Sequence, residues 1–434
     1  MMKRFLLSSF LLWAVVSVFA QTVASEFMKK LSALQGVSKV EKLESSAFPE
    51  KYLINIRQNV DGETADKGTF DQRVIVGYVG EDRPTVIVTE GYYADYALNS
   101  RYTEELCRLF DANMVFCEYR YFGPSTPEPC DWQYMTVRNS LRDLHNVNQT
   151  LRSVFKGKWM STGISKGGQT TMFYRAYYPN DVDISVSYVA PLNKSVEDGR
   201  HETFLSKQVG TEEERQKVLD AQMQLMERKN NLLPTWQKFC EANGYTYRIS
   251  MSDIYDYCVM EYPFALWQWG TPVSRIPSDD ASDELWLAHF LEISSPDYFA
   301  LPNRYMPFFV QAARELGYYG YDNKPFKKLS SVKSPKHYLR DVMLTEELSN
   351  IKFDKTLYKH TCKYLKNNDP KHIFIYGEID PWTASGVAGW LDCSRKLNMR
   401  VYVQPRGSHT ARIGNMPEDM KNEIIGRLTR WLYE

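Results

Sequence analysis

G-I-S-K-G-G, residues 163–168, follows an apolar run over 159–164 and precedes a helix-like segment over 169–178. A G-x-S-x-G pattern alone is a weak signal, because composition supplies one by chance in about one of seven chains of this length. Its setting between a buried strand and a helix is typical of a nucleophile elbow, whose glycines permit a sharp turn that lifts a serine hydroxyl out of the sheet. The sequence therefore predicts that Ser165 is a nucleophile.

Strand-like and helix-like segments alternate around this motif. Strands are predicted over 52–57, 73–79, 85–89, 114–119, 159–164 and 184–189, and again over 372–376 and 400–403. Helices are predicted over 103–110, 136–155, 169–178, 385–397 and 418–433. This alternation predicts an α/β fold with a mostly parallel sheet and helices on both faces.

The alternation is interrupted between the sixth and seventh predicted strands. Residues 195–355 are polar, helical in pattern and rich in Trp, Tyr and Met, with few β-branched runs. We therefore expect one catalytic α/β domain, residues 21–194 and 356–434, with a helical cap, residues 195–355, inserted into it.

A serine nucleophile also needs a base and an orienting carboxylate, which in this type of fold follow in the order Ser, Asp, His. Asp380, in I-F-I-Y-G-E-I-D-P-W, lies just past a predicted strand, where open α/β folds place their sites. Glu378 competes for this role, and capping the next helix is the alternative role for Asp380. His409, in V-Y-V-Q-P-R-G-S-H-T, is the one histidine that combines a Gly-Ser loop after a strand with a position beyond the Asp. The sequence therefore predicts a triad of Ser165, Asp380 and His409.

Two backbone N–H groups are predicted to stabilise the oxyanion of the reaction. One belongs to Lys166, and the other comes from T-E-G-Y-Y after the third predicted strand, near Gly91 and Tyr92. An ordinary turn glycine is an equally good interpretation of Gly91. The Lys166 side chain is expected to face the surface or to support the elbow, and Arg120 to brace the loop after the fourth strand. This acyl-transfer chemistry needs no metal or organic cofactor.

Charge and composition exclude several kinds of partner. The 53 basic residues equal the 53 acidic residues, and neither sign forms a long run. The sequence therefore indicates neither a nucleic-acid surface nor a polybasic membrane patch. The 29 tyrosines suit a groove that holds an extended ligand, although a thick core uses the same residues.

The N-terminus is typical of an export signal. Lys3 and Arg4 precede an apolar run over 5–19 that ends in V-F-A, and cleavage is expected after Ala20. About 15 apolar residues are short for a bilayer, which needs about 20. We therefore expect a signal peptide over 1–20 and a mature protein in the periplasm or outside the cell, without a membrane anchor.

The seven cysteines agree with export but do not define a disulfide framework. Their odd number leaves at least one unpaired within the chain. The pairs to test first are Cys240 with Cys258 and Cys362 with Cys393. Because no C-x-x-C motif occurs and the seven histidines are scattered, no metal site is predicted.

Four stretches resemble a known family: E-Y-R-Y-F-G-P-S-T-P, D-W-Q-Y-M-T-V-R-N-S-L-R-D-L-H, G-I-S-K-G-G-Q-T and Y-P-N-D-V-D-I-S-V-S-Y-V-A-P. They are similar to the secreted prolyl tri/tetrapeptidyl aminopeptidases, and more distantly to the lysosomal Pro-X carboxypeptidase and dipeptidyl-peptidase group. The resemblance is strong over 90–191 and weak across the cap. It implies an α/β-hydrolase core with a helical cap, and release of short peptides from free N-termini with Pro before the cleaved bond. It also implies Ser165 as nucleophile, Asp380 as carboxylate and His409 as base.

Such specificity requires a carboxylate at a fixed distance from the serine to pair with the substrate ammonium. The candidates are Glu90, beside the oxyanion loop, and Glu197 and Asp198 at the start of the cap, although most acidic residues are simply solvated. Trp267 and Trp269, in W-Q-W-G, are candidates for the wall of an apolar Pro pocket.

Two other functions stay open at this point. A carboxylic-ester hydrolase can use the same core and the same triad. A non-catalytic protein could keep the fold and use its aromatic cap to hold peptides or glycans.

Overall fold

A computed structural model describes residues 25–434 of the chain. The predicted signal peptide, residues 1–20, lies outside the described residues. Between residues 25 and 434, none of the helices has the length and apolar character needed to cross a membrane.

Nine strands of the described chain form one sheet in the order β1-β2-β3-β5-β4-β6-β7-β8-β9. They are β1 Val37–Leu43, β2 Glu50–Asn59, β3 Thr69–Tyr78, β4 Thr85–Val88, β5 Asn113–Cys117, β6 Trp159–Ile164, β7 Ile184–Tyr188, β8 His372–Gly377 and β9 Met399–Gln404. The pairings from β1 to β5 are antiparallel, and those from β5 through β4, β6, β7 and β8 to β9 are parallel. The six strands from β5 to β9 thus direct their carboxyl ends to one edge.

The first strand is absent from the sequence-based prediction. β1, V-S-K-V-E-K-L, lies at the edge of the sheet and has no fully buried residue. Its polar and half-exposed composition gives little strand signal, since the apolar content that marks a strand comes from burial. With β1 counted, the cap insertion falls between the seventh and eighth strands.

Twelve α-helices accompany the sheet in the described chain. They are α1 Glu26–Ser32, α2 Glu105–Phe110, α3 Val137–Arg152, α4 Lys166–Tyr177, α5 Arg200–Lys207, α6 Glu212–Glu227, α7 Lys229–Ala242, α8 Met251–Trp269, α9 Asp283–Ile293, α10 Met306–Gln311, α11 Thr356–Asn367 and α12 Glu418–Tyr433. Helices α1, α3, α4 and α11 share one hydrophobic core with one face of the sheet, and α2 and α12 share another with the opposite face. The predicted two-faced α/β fold is confirmed.

The helix predicted over 385–397 is wrong. A short 3₁₀ helix, Pro381–Ala384, is followed by turns up to β9. Gly386 packs so closely on the ring of Tyr376 that a Cβ would lie 2.5 Å from it, and the Val387 N–H donates to the Tyr376 hydroxyl at 3.0 Å. These tertiary contacts hold the backbone in a turn despite the apolar spacing.

The residues between β7 and β8 contribute α5 to α11 and an isolated bridge between Thr246 and Leu301. The apolar side chains of α5 to α10 form a third core that also contains Tyr119, Phe122, Ile379 and Trp382 from loops at the carboxyl edge of the sheet. The helical insertion therefore packs over the edge where the parallel strands end. A mostly parallel sheet, helices on both faces and a helical cap at this edge together constitute an α/β-hydrolase fold.

Candidate active site

Ser165 occupies a strained turn between β6 and α4. Its backbone has φ 56° and ψ −118°, which L-residues rarely adopt. A Cβ at Gly163 would lie 2.4 Å from the Gly167 backbone, and one at Gly168 would lie 2.5 Å from the Tyr188 carbonyl oxygen. Only glycine fits at these two positions, so the strand and helix can approach closely enough to force this turn.

Asp380 and His409 are in direct contact. Asp380 follows β8 and is fully buried, and its Oδ2 lies 2.7 Å from His409 Nδ1. Its other oxygen, Oδ1, accepts the Trp382 N–H at 3.1 Å. The backbone N–H of His409 donates to the carbonyl of Gln268, in α8 of the cap, at 2.9 Å. The carboxylate is therefore fixed on one nitrogen of the imidazole, and the cap helps to hold the histidine loop.

Glu378 does not take this orienting role. Its carboxylate accepts the Arg406 N–H at 2.7 Å. The Ile379 N–H donates to the Gly407 carbonyl at 2.9 Å, which joins the loops after β8 and β9. Because the two loops are joined in this way, the Asp380 side chain contacts His409 and the Glu378 side chain contacts the backbone at Arg406.

A second contact between a histidine and an aspartate lies far from the serine. His145 Nδ1 is 2.7 Å from Asp181 Oδ2, which also accepts the Tyr174 hydroxyl at 2.6 Å. Asp181 lies three residues before the start of β7, at the amino edge of the sheet. Because Ser165 follows β6 at the opposite edge, this pair cannot serve it.

Ser165 and His409 both follow parallel strands at the carboxyl edge of the sheet. In the described chain, neither the serine hydroxyl nor His409 Nε2 makes a side-chain hydrogen bond. Catalytic hydrogen bonds are often long or unformed before substrate binds. The arrangement leaves the hydroxyl and the second imidazole nitrogen available to a reacting group.

The predicted oxyanion donors differ in whether their N–H groups already have a hydrogen-bond acceptor. The Lys166 N–H belongs to the first turn of α4, whose donors have no partner within the helix. The Tyr92 N–H donates to Glu90 Oε1 at 3.1 Å, while the Gly91 carbonyl accepts a hydrogen bond from Lys166 Nζ at 2.6 Å. The Lys166 backbone is thus presented at the elbow, and the loop that carries Gly91 and Tyr92 is fastened beside it.

The Lys166 side chain supports the elbow, and the alternative prediction that it faces the surface is wrong. Lys166 is only 2% exposed, and its Nζ lies 3.2 Å from the centre of the Tyr119 ring. Burial lowers the pKa of Lys166 well below its usual value. The side chain therefore acts as an internal clamp between the helix and the Gly91 carbonyl.

Arg120 is fully buried under the same edge of the sheet. It makes two bonds to Asp143, at 2.6 and 2.7 Å, and donates to the carbonyl groups of Asn59, Val60 and Tyr134. Because protein groups accept hydrogen bonds from all three guanidinium nitrogens, Arg120 is not available to bind a substrate. Its position agrees with the predicted bracing of the loop after the strand now numbered β5.

A cavity of about 580 Å³ separates Ser165 from the cap. The sheet loops contribute Tyr92, Ser165 and Trp382 to its lining, α4 contributes Lys166 and Gln169, and α8 contributes Glu261, Ala265, Gln268 and Trp269. Four of its rings form a continuous series, with centroid distances of 5.7 Å from Tyr92 to Phe308, 5.4 Å from Phe308 to Tyr318 and 5.5 Å from Tyr318 to Trp382. We call these four rings the aromatic wall.

The two tryptophans predicted for the pocket have different positions. Trp269 lines the cavity, is 60% exposed and meets the His409 ring edge-on at 5.9 Å. Trp267 is buried in the cap core near Gly210 and does not reach the cavity. The prediction for Trp267 is wrong because neighbouring positions on a helix face different directions.

None of the three predicted acidic residues lines the cavity. Glu90 accepts the hydroxyl of Tyr96 at 2.6 Å as well as the Tyr92 N–H. Asp198 is fully buried in a two-bond pair with Arg200, and Glu197 accepts the N–H of His337. The prediction that these residues bind the substrate from the cavity is wrong, because nearby residues engage Glu90 and Asp198 and the distant His337 N–H engages Glu197.

Glu261 is the cavity residue that sequence reasoning missed. It lies in α8, is 7% exposed and accepts hydroxyl groups from Tyr319 and Tyr321. A signal existed in the sequence, because Glu261 is the only charged residue between Cys258 and Trp269. Within an apolar helix, a single buried carboxylate calls for a partner.

The cysteine pairs proposed for testing are not formed. All seven cysteines are free thiols in the structure. Cys240 instead accepts the Tyr247 hydroxyl at 3.4 Å. The fold is therefore held by its cores and buried polar pairs.

Comparison with known proteins places the chain in a family. The fold and the serine site define an α/β hydrolase. The chain belongs to the PS-10 peptidase S37 family, whose model matches residues 20–433. It is a serine peptidase, as the sequence resemblance implied.

Two curated proteins and a solved structure are similar to the chain. The prolyl tri/tetrapeptidyl aminopeptidase of Streptomyces mobaraensis is 27% identical over 419 residues, which cover 94% of this chain and 85% of that protein. The lysosomal Pro-X carboxypeptidase of Bos taurus is 27% identical over 161 residues, or 33% of this chain and 32% of that protein. The crystal structure of VinJ covers 91% of this chain and 99% of its own, with 14% identity and a TM-score of 0.41.

Lys166→Met should separate positioning from folding. Methionine fills the same space but cannot hold the Gly91 carbonyl, so the oxyanion loop should shift relative to Ser165. We expect kcat to fall by roughly 10-fold or more, below the cost of deleting an oxyanion donor, while KM changes little. Steady-state kinetics on a peptide substrate measures both constants.

Lys158→Met is the matched control, because Lys158 Nζ also donates to a carbonyl, that of Trp431 at 2.9 Å, away from the cavity. Equal kcat values for the two variants would contradict the clamp.

Proposed function

We propose that this serine peptidase is exported and releases short peptides, three or four residues long, from free N-termini, with Pro before the cleaved bond. Its catalytic residues are Ser165, His409 and Asp380. The observation that carries the proposal is the opening of the strained Ser165 turn into an aromatic cavity beside a buried Asp380–His409 pair. Export rests on the charged and apolar pattern of residues 1–20.

The proposed reaction is acyl transfer through a covalent intermediate. His409 Nε2 accepts the proton of Ser165 Oγ as that oxygen attacks the peptide carbonyl carbon. Collapse of the tetrahedral intermediate breaks the C–N bond, and the imidazolium donates its proton to the leaving amine. Water then attacks the acyl-enzyme with His409 as base, which releases the short peptide and restores Ser165.

Asp380 has an orienting role in these steps. Its contact with Nδ1 keeps the proton on that nitrogen, so Nε2 is the one that accepts the serine proton. Burial without other cationic partners strengthens its interaction with the imidazolium that forms. The Lys166 N–H stabilises the negative oxygen of the intermediate, and the adjoining loop of Gly91 and Tyr92 adds a second donor when substrate displaces the Tyr92 N–H from Glu90 Oε1.

The aromatic wall is the proposed site for the proline ring. Tyr92 lies in the oxyanion loop and Trp382 lies two residues after Asp380, so the wall crosses the cavity between two loops that flank Ser165. Flat apolar rings suit the pyrrolidine ring, which has no N–H to satisfy. The name of the Streptomyces relative, a prolyl tri/tetrapeptidyl aminopeptidase, supports both the Pro preference and the length of the product.

Ser165→Ala should abolish peptide hydrolysis, because the acyl-enzyme cannot form. The expected loss of kcat is roughly a million-fold, with thermal unfolding unchanged. A fluorophosphonate probe should label the wild-type chain once and leave the variant unlabelled, as measured by intact mass.

Ser206→Ala serves as the control, since this exposed cap serine bonds only to helix carbonyls. Wild-type turnover by Ser165→Ala would end the proposal, and so would labelling elsewhere in the chain.

An ester hydrolase on the same core is the rival function. A Pro-containing peptide amide with a free N-terminus should be cleaved with a kcat/KM at least about 100-fold above that of a short acyl ester, because the cavity has room for several residues beyond the serine. Parallel assays of the two substrates measure this ratio. A ratio below one would favour the esterase.

A further inference from the structure

Glu261 is a buried carboxylate without a cationic partner among the residues 25–434. Its hydrogen-bond donors are the hydroxyl groups of Tyr319, at 3.0 and 2.9 Å from the two oxygens, and of Tyr321, at 2.7 Å from Oε2. Other buried acids of the chain, such as Asp143 and Asp198, are paired with arginines. Glu261 differs from these two aspartates in having only neutral donors.

This environment leaves the carboxylate short of positive charge. Burial raises the pKa of Glu261 to about 8, against the opposing effect of the tyrosine hydroxyls. Removing a carboxylate from water is costly unless a cation or several donors compensate. A bound ammonium would supply what the protein does not.

The other charged groups of the cavity lining cannot replace that ammonium. Lys166 Nζ is engaged by the Gly91 carbonyl, and the Arg304 guanidinium lies over the rings of Tyr93 and Tyr305. Asp297 also lines the cavity, but it is exposed to water. Glu261 is therefore the desolvated negative group that faces the ligand space.

Tyrosines connect Glu261 to the aromatic wall. The Tyr298 hydroxyl lies 2.6 Å from that of Tyr318 and 2.9 Å from that of Tyr319, which in turn donates to Glu261. Tyr298, Tyr318 and Tyr319 all line the cavity. Their rings offer further stabilisation to a cation beside the carboxylate, because the ring faces are negative.

We propose that Glu261 binds the α-ammonium group of the substrate, a proposal that rests on the exopeptidase function above. The ammonium donates to the Glu261 oxygens, and the proline ring packs on the aromatic wall. The carbonyl carbon of that proline, which is bonded to the leaving amine, then reaches Ser165. An acetylated N-terminus has neither the charge nor the donors, so Glu261 would exclude it.

Helix α8 itself sets the distance between the two ends of the bound peptide. Glu261, Ala265 and Gln268 line the cavity at helical spacing, and the Gln268 carbonyl holds the His409 loop. Seven residues of helix rise by roughly 10 Å. An extended peptide advances about 3.3 Å per residue, so roughly three residues fit between the ammonium site and the catalytic groups.

The test measures peptide binding in the Ser165→Ala background, where nothing is cleaved. Calorimetric titration compares Ala-Ala-Pro-Ala amide with its N-acetyl form, before and after Glu261→Gln. We expect the free peptide to bind at least about 30-fold more tightly than the acetylated one, and Glu261→Gln to bring this ratio to within about 3-fold of one. Both peptides are titrated into the same protein sample. Partial unfolding of a variant therefore lowers both apparent affinities equally and leaves their ratio unchanged.

Three further variants sharpen the test. Glu261→Asp keeps the charge on a shorter side chain and should retain part of the ratio. Glu197→Gln, in a cap carboxylate that bonds the His337 N–H outside the cavity, should retain all of it. Asp297→Asn addresses the exposed rival, and loss of the ratio in this variant instead of Glu261→Gln would overturn the proposal.

Failure of this proposal differs from failure of the proposed function. Equal affinity for the two peptides, or no measurable binding of either, contradicts the ammonium site. If the wild type does not hydrolyse the free peptide, the exopeptidase function is wrong, and the binding ratio still decides whether Glu261 recognises an ammonium group.

Discussion

The conformation of Ser165 is the constraint on which the rest of the site depends. A positive φ is costly for a serine, and it persists here because β6 and α4 approach through Gly163 and Gly168 with no room for a Cβ. This approach sets the hydroxyl at the carboxyl edge of the sheet. The loops after β8 and β9 end at the same edge because the strands are parallel, so Asp380 and His409 arrive without long connections.

Helix α8 joins the proposed catalytic groups to the proposed specificity groups. Its C-terminal end holds the His409 N–H through Gln268 and places Trp269 beside the imidazole, while its middle carries Glu261. Movement of the cap relative to the sheet would therefore disturb His409 and the proposed ammonium site together. This shared helix explains why a large cap can be part of the active site instead of a separate cover.

The sequence predicted the sheet and the catalytic candidates because their signals are local. The apolar strands, the glycines around Ser165 and the order of Asp380 and His409 need no knowledge of distant contacts. The 385–397 segment was mispredicted because Tyr376, from another element, holds Gly386 and Val387 in a turn. The exposed edge strand β1 lacks the burial that makes a strand visible in sequence.

The acidic residue of the cap that faces the cavity was beyond prediction for the same reason. Glu90, Glu197 and Asp198 have the required charge, and only their contacts reveal that each is already occupied. Glu261 depends on tyrosines about 60 residues away in sequence for its environment. Lys166 is a further example, within the elbow itself. A lysine at this position can be expected at the surface, and only the contact with the Tyr119 ring reveals that its side chain is buried.

A mass-spectrometric profile of peptides released from a mixed library tests the central claim most directly. The account predicts that every released fragment carries an original free N-terminus, ends in Pro and is three or four residues long, and that an N-acetylated copy of the library stays intact. The Ser165→Ala variant should release none of these fragments. Fragments cut from the interior or from the C-terminus, or equal cleavage of the acetylated library, would contradict it.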